Sequence, residues 1–292
     1  MHAYDKIHPT ALFVNFAVII VMAVIFMHPI ALAVSFSGAV FYYCLLKKGG
    51  EKKSLIFILP IALTAALLNP LFNHRGMTVL WYFPGGNPLT AESIFYGAAS
   101  GVMMASGIIW FLCLTEVFTG DKILCVVGKA SPSFALIFSM ALRFVPLFKE
   151  KMKSVSVAQR GLYPCRKRAF FKIKRTLYIF SASSMQCLDM ALEASDSLKS
   201  RGYGTGRRSF YTPYKWNLCS KVYADLSALC PLFFAAARLM GAAEYTYFPE
   251  ISFHGDTFLA AGVFLLYAVL CFMPSYIEIK EELLWRKLQS KI

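Results

Sequence analysis

Six stretches of this chain are apolar for long enough to cross a lipid bilayer as helices, and no other feature constrains the fold as much. A helix needs about 17–25 apolar residues to span the hydrocarbon core. Inside that core only a structure that satisfies its own backbone polar groups is viable. The runs cover about 11–27, 30–46, 54–72, 91–114, 222–240 and 257–274. His28-Pro29 turns the chain between the first two, and a polar, turn-rich stretch at 73–90 precedes the fourth, with Thr90 as its N-cap. The first run has no small-residue cleavage site and a second span follows at once, so it reads as a span and not as a cleaved signal peptide. The expected fold is an all-α polytopic membrane protein with about six transmembrane helices. Composition points the same way: 58% of residues are apolar and 16% charged, with a mean hydropathy of +0.56. An ordinary soluble domain is roughly 25% charged. A disordered chain and most soluble enzymes are therefore excluded.

Charge divides the chain into three regions. Residues 1–120 carry a net +2, residues 121–221 a net +14, and residues 222–292 a net −2. The basic block lies between spans, and Lys/Arg excess marks the cytoplasmic side. The reading is a four-span region at 1–120, a basic cytoplasmic domain of long amphipathic helices at 121–221, and a two-span region with a cytoplasmic tail at 222–292. The Lys47–Lys53 loop belongs inside, and the loop with Glu244, Glu250 and Asp256 outside. Both termini then face the cytoplasm. The basic block carries no nucleic-acid motif, so no nucleic-acid partner is expected.

Eight cysteines are scattered without a CxxC pair and without histidine at ligand spacing. They read as reduced structural residues, with no disulfide frame and no metal site. Glu92, Glu116, Asp225 and Arg238 lie near span ends. A self-sufficient ion-coupled carrier would need such groups in mid-membrane. Ser93, Gly97, Gly101 and Ala105 recur at intervals of four on the fourth span. That small-residue face lets another helix approach closely, either one of this chain or one of a partner.

Within the basic block, Ser131-Pro132 signals a helix start. The helix is expected to run to Arg160, with Gly161 following. Its first half is apolar but for Arg143, its second half is basic, and Pro146 is expected to kink it. A charged linker from Arg166 to Arg175 leads to a second helix at about 176–201, followed by Gly202. Asp189, Glu193 and Asp196 form an acidic stripe on it, read as a solvated face. Both helices end alike, in Gln159-Arg160-Gly161 and Ser200-Arg201-Gly202. Glycine past a helix end takes the left-handed cap conformation, and arginine suits the negative end of the dipole. Each tip also carries a guanidinium fork suited to carboxylates or phosphates on a partner.

Leu142-Arg143-Phe144-Val145-Pro146, Ala158-Gln159-Arg160-Gly161 and Ser200-Arg201-Gly202-Tyr203-Gly204, in this order and after these spans, resemble the transmembrane T component of energy-coupling factor (ECF) transporters, the CbiQ-like group. The resemblance covers roughly residues 1–241. It implies a scaffold that binds two cytoplasmic ABC ATPases and a separate membrane S component that captures a vitamin or metal ion. The basic helices would be coupling helices. The resemblance implies that Gln159, Arg160 and Gly161 meet one ATPase and Ser200, Arg201 and Gly202 the other. Gly97, Gly101, Arg143 and Pro146 are expected in helix packing or S-component contact. It also implies a place in the plasma membrane. The chain has no G-x-x-x-x-G-K followed by Ser or Thr, so it cannot cradle ATP itself. No cofactor is expected, and the chain is not expected to be an enzyme. The hairpin from about 243 onward, with its span, is extra to the family pattern. The permease subunit of another ATP-driven transporter and a membrane-embedded enzyme stay open as alternatives. The histidines are dispersed and the acidic stripe has none nearby, which counts against the enzyme.

Overall fold

Two His-Pro pairs start the first two helices in the same way. Proline at the first helical position gives up an amide that had no partner there, and the histidine before it turns a ring nitrogen back onto the exposed turn. The computed structural model describes residues 7–25, 27–47, 53–82, 88–162, 169–206, 214, 216–241, 244–249, 252–254 and 257–289. In it, α1 spans Pro9–Ile25 and α2 spans Pro29–Leu46. His8 Nδ1 accepts from the Thr10 amide at 3.2 Å, and His28 Nδ1 from the Ile30 amide at 3.3 Å.

The remaining elements are α3 (Lys53–Phe72), β1 (Val79–Tyr82), β2 (Pro88–Thr90), α4 (Ala91–Val117), α5 (Gly120–Ala130), α6 (Pro132–Leu162), α7 (Ala169–Ser200), α8 (Leu218–Leu239), β3 (Glu244–Thr246), β4 (Ser252–His254) and α9 (Thr257–Gln289). Helix accounts for 84% of the described residues. Among the described residues, five helices are long and apolar enough to cross a membrane: α2, α4, α6, α8 and α9. α1 and the apolar part of α3, Ile56–Phe72, are shorter. This set differs from the six expected runs. α6 joins it through its apolar first half, whereas α1 has only 17 residues.

The chain parts into two compact units. Met1–Thr119 and Pro213–Ile292 form one, and Gly120–Thr212 the other. The first unit is built around Trp110 of α4, which is fully buried. Its indole N–H donates to Ser35 Oγ of α2 at 3.1 Å. Phe16 of α1 meets its edge and Tyr42 of α2 stacks on it. A buried indole with its donor satisfied contributes area without an unpaired polar group. α9 belongs to this core through Val263, Tyr267, Leu270 and Cys271. Tyr267 donates to the Ile19 carbonyl at 3.3 Å. A Cβ on Gly38 would lie 3.1 Å from Cys271 Cβ, so α2 and α9 nearly touch backbone to backbone. The last helix is thus part of the central packing.

The small-residue face of α4 is filled from within the chain. A Cβ on Gly97 would lie 2.5 Å from the Ala66 carbonyl oxygen, and one on Gly101 2.7 Å from that of Ala62. α3 is the helix that takes up this face. Its other sides expose Phe57, Leu59, Leu63, Leu67 and Phe72.

Several expectations change in detail. Two antiparallel hairpins stand where loops were expected, β1 with β2 and β3 with β4. The second is tied to the bundle by Tyr247, whose hydroxyl donates to the Met27 carbonyl at 2.6 Å. Burial pushes the Tyr247 hydroxyl up to about 12. α9 continues through Pro274 to Gln289, well past the expected end of the last span. α7 starts at Ala169, so Lys174 and Arg175, expected in a linker, are helical. The Lys48–Lys52 part of the basic loop, Pro84–Asn87, Cys165, Arg166–Arg168, Glu250, Asp256 and Lys291 lie outside the described residues.

Candidate functional site

The second unit holds both arginine-glycine helix ends. α6 has 31 residues and α7 has 32, so each is about 45–50 Å long at 1.5 Å per residue. α5 packs along α6. A Cβ on Gly120 would meet Leu142 at 3.2 Å.

α6 and α7 clasp each other at two points. Phe148 and Phe180 meet edge to face at 5.9 Å between ring centres. Arg175 Nη2 donates to the Ser156 carbonyl at 3.2 Å. As the residue number rises on α6 it falls on α7, so the helices run antiparallel through the contact. Their C-terminal ends therefore lie on opposite sides of it. By the helical rise, Arg160 lies about 18 Å along α6 from Phe148, and Arg201 about 32 Å along α7 from Phe180. The two guanidiniums cannot clamp one small anion together. They present two separate docking points.

The two ends are built differently. α7 closes in a Schellman turn. The Gly202 amide donates to the Lys199 carbonyl at 2.9 Å and the Tyr203 amide to the Leu198 carbonyl at 3.1 Å. Gly202 has φ +79°, the left-handed conformation expected of it. Arg201 is thus the residue at the stop itself. Gly161 does not cap α6: the helix continues through it to Leu162, and Gly161 is not among the glycines of positive φ. Nothing lies within 4 Å of a Cβ placed there. Arg160 therefore stands on the flank of a last turn that runs on past it.

No protein-family model and no curated protein matches this chain.

Arg160 and Arg201 are both exposed, and among the described residues neither guanidinium has a hydrogen bond or ion pair. Gln159 is half-buried, and Gly161, Ser200 and Gly202 are exposed. Arg143 and Pro146 are exposed in the middle of α6, which passes through the proline as one helix. Gly97 and Gly101 belong to the first unit and sit against α3. The acidic stripe Asp189, Glu193 and Asp196 is exposed. Asp196 lies 3.8 Å from Lys199, an exposed pair of the kind that contributes little. Leu177 and Leu188, apolar residues at helical spacing on α7, are 63% and 61% exposed. That side is left open to a partner or to lipid. Among the described residues no group of three His, Cys, Asp or Glu is placed to hold a metal ion.

The clasp was missed in the sequence reading. The charge run from Arg166 to Arg175 predicts a linker for Arg175, and no sequence signal singles out Phe148. Phe180 shares helical spacing with Leu177 and Leu188 on α7, and that apolar recurrence is the signal that pairs it with Phe148.

Proposed function

We propose that this chain is the transmembrane coupling subunit of an ECF-type importer. It would pass the closure of two cytoplasmic ABC ATPases to a separate membrane S component that carries a vitamin or metal ion. The observation that carries the reading is the pair of exposed guanidiniums, Arg160 and Arg201, without a partner among the described residues, at opposite ends of two clasped helices. An arginine fork matches a carboxylate groove in two parallel hydrogen bonds, and truncating one partner of such a desolvated pair costs about 2–5 kcal/mol. Two such ends, tens of ångströms apart by helical rise, suit two protein subunits. A clasp between the helices makes a displacement at one end felt at the other.

The test is co-purification in mild detergent of ATP-binding subunits with the tagged chain. Arg160→Glu with Arg201→Glu is expected to abolish their recovery while the chain still inserts in the membrane. Undiminished recovery would remove this role from the two arginines.

A further inference from the structure

The β1–β2 hairpin carries a surface that the coupling role does not use. β1 is exposed along its whole length: Val79, Leu80, Trp81 and Tyr82 are 41%, 62%, 70% and 65% exposed. A strand covered on one face would alternate; this one shows apolar side chains on both. From Gly76 to Ala91 the sequence has no charged residue, where a loop facing water ordinarily carries some.

The strand is held in this pose from behind. Thr78 donates its amide and its hydroxyl to Glu92 Oε1 at 3.1 and 2.8 Å. Glu92 is buried in the first turn of α4, where a carboxylate suits the positive end of the helix. Thr90 Oγ1 donates to the Arg75 carbonyl at 2.9 Å, and the Ala91 amide donates to the Thr78 carbonyl at 3.0 Å. These bonds fix the exposed side chains at the point where α3 ends. β2 runs directly into α4, one of the helices long and apolar enough to cross a membrane.

We infer that β1 lies in the headgroup layer of the bilayer, with Trp81 and Tyr82 as its anchors. The occupant of this surface is phospholipid. Tryptophan and tyrosine concentrate at that depth because each has an apolar ring and a polar tip. A place directly before such a helix, in a stretch with no charged residue from Gly76 to Ala91, favours lipid over a soluble protein.

The test reads the tryptophan fluorescence of the full chain in phosphatidylcholine nanodiscs. Trp81→Phe is a conservative change at an exposed position, so the difference between wild type and this variant is the Trp81 signal. That signal is expected to be quenched by lipid brominated on the acyl carbons nearest the headgroup. It should be quenched less by lipid brominated near the chain ends, and least by aqueous iodide. Quenching by iodide and not by brominated lipid would overturn the inference, because the strand would then face water. Shielding from every quencher would also overturn it, because protein would then cover the strand. Failure of the chain to enter nanodiscs at all would instead count against the membrane reading as a whole.

Discussion

Arg175 of α7 donates through Nη2 to the main-chain carbonyl of Ser156 on α6, 3.2 Å away. A charged donor on a main-chain acceptor is among the stronger hydrogen bonds, at about 1.5–3 kcal/mol. The neighbouring Phe148–Phe180 edge-to-face pair adds about 0.5–1.5 kcal/mol beyond its area. Arg175→Met keeps the aliphatic stem and removes the bond. The variant is expected to lose about 1–2 kcal/mol by the same hydrogen-bond scale, discounted for partial exposure. The check is its thermal midpoint in detergent, with Arg175→Lys between it and wild type. An unshifted midpoint would mean that the clasp does not hold the two helices.

The two arginine-glycine ends predict opposite effects of one substitution. Gly202 sits at φ +79°, where a Cβ costs about 1–2 kcal/mol. Gly161 is helical with open space around it, where alanine is better than glycine by about 0.5–1 kcal/mol. Gly202→Ala should therefore speed amide hydrogen exchange over the last turn of α7, and Gly161→Ala should slow it over the last turn of α6. Equal effects at both ends would contradict the two different terminations.

Packing of α3 on α4 rests on two glycines whose added side chains would strike main-chain oxygens. A carbonyl in a helix cannot rotate aside as a side chain can. Gly101→Leu is expected to destabilise by at least the about 1–3 kcal/mol typical of overpacking and to reduce the yield of monodisperse protein. Gly107→Ala on the same helix, with nothing within 4 Å, is the matched control and should be silent. If both variants behave alike, the contact with α3 is not what the glycines are for.

Burial holds His28 below its ordinary value of 6.5. Its ring lies on Phe264 and meets Tyr245, and Nδ1 accepts from the Ile30 amide. The protonated ring could no longer accept there. The unfolded chain binds this proton at a higher pH than the folded one does, so stability from this group is complete above the unfolded value and is lost as pH falls through the folded value. The thermal midpoint of wild type should drop below about pH 6.5, the unperturbed range for histidine. His28→Asn retains a capping acceptor and should flatten that part of the profile. An identical profile in the two proteins would clear His28 of the effect.

What the sequence disclosed, and what it hid, follows from the range of each signal. Helix starts are local, and they were readable. Thr90 caps α4 through the Ser93 amide at 3.4 Å, Pro132 opens α6, and His28-Pro29 opens α2. The left-handed stop at Gly202 was readable too. Gly161 carries the same dipeptide but not the same fate, because a glycine ends a helix only when the turn beyond it closes back. Tyr203 supplies that closing amide in α7. The β1 strand was hidden because its neighbours, Pro84-Gly85-Gly86-Asn87-Pro88, dominate any reading of that stretch as a loop. Its pairing with Pro88–Thr90 is a tertiary fact. The relation between Arg160 and Arg201 was hidden for a similar reason. Matching tripeptides suggest matching ends, and only the direction in which α7 returns along α6 shows that they face apart.

The difference between those two ends has a consequence for how partners are told apart. Arg201 is offered head-on, at a place where the main chain stops and turns. Arg160 is offered from the side of the last helical turn, which is described for two residues beyond it, to Leu162. A groove shaped for a blunt tip will not accept a flank, whatever its charge. Under the proposed reading, two identical ATPases would have to bind two unlike plugs with one socket. Two different ATPases could each be keyed to one. The chain would then fix which subunit sits on which side, and the assembly would have a handedness written into a single glycine that fails to end its helix.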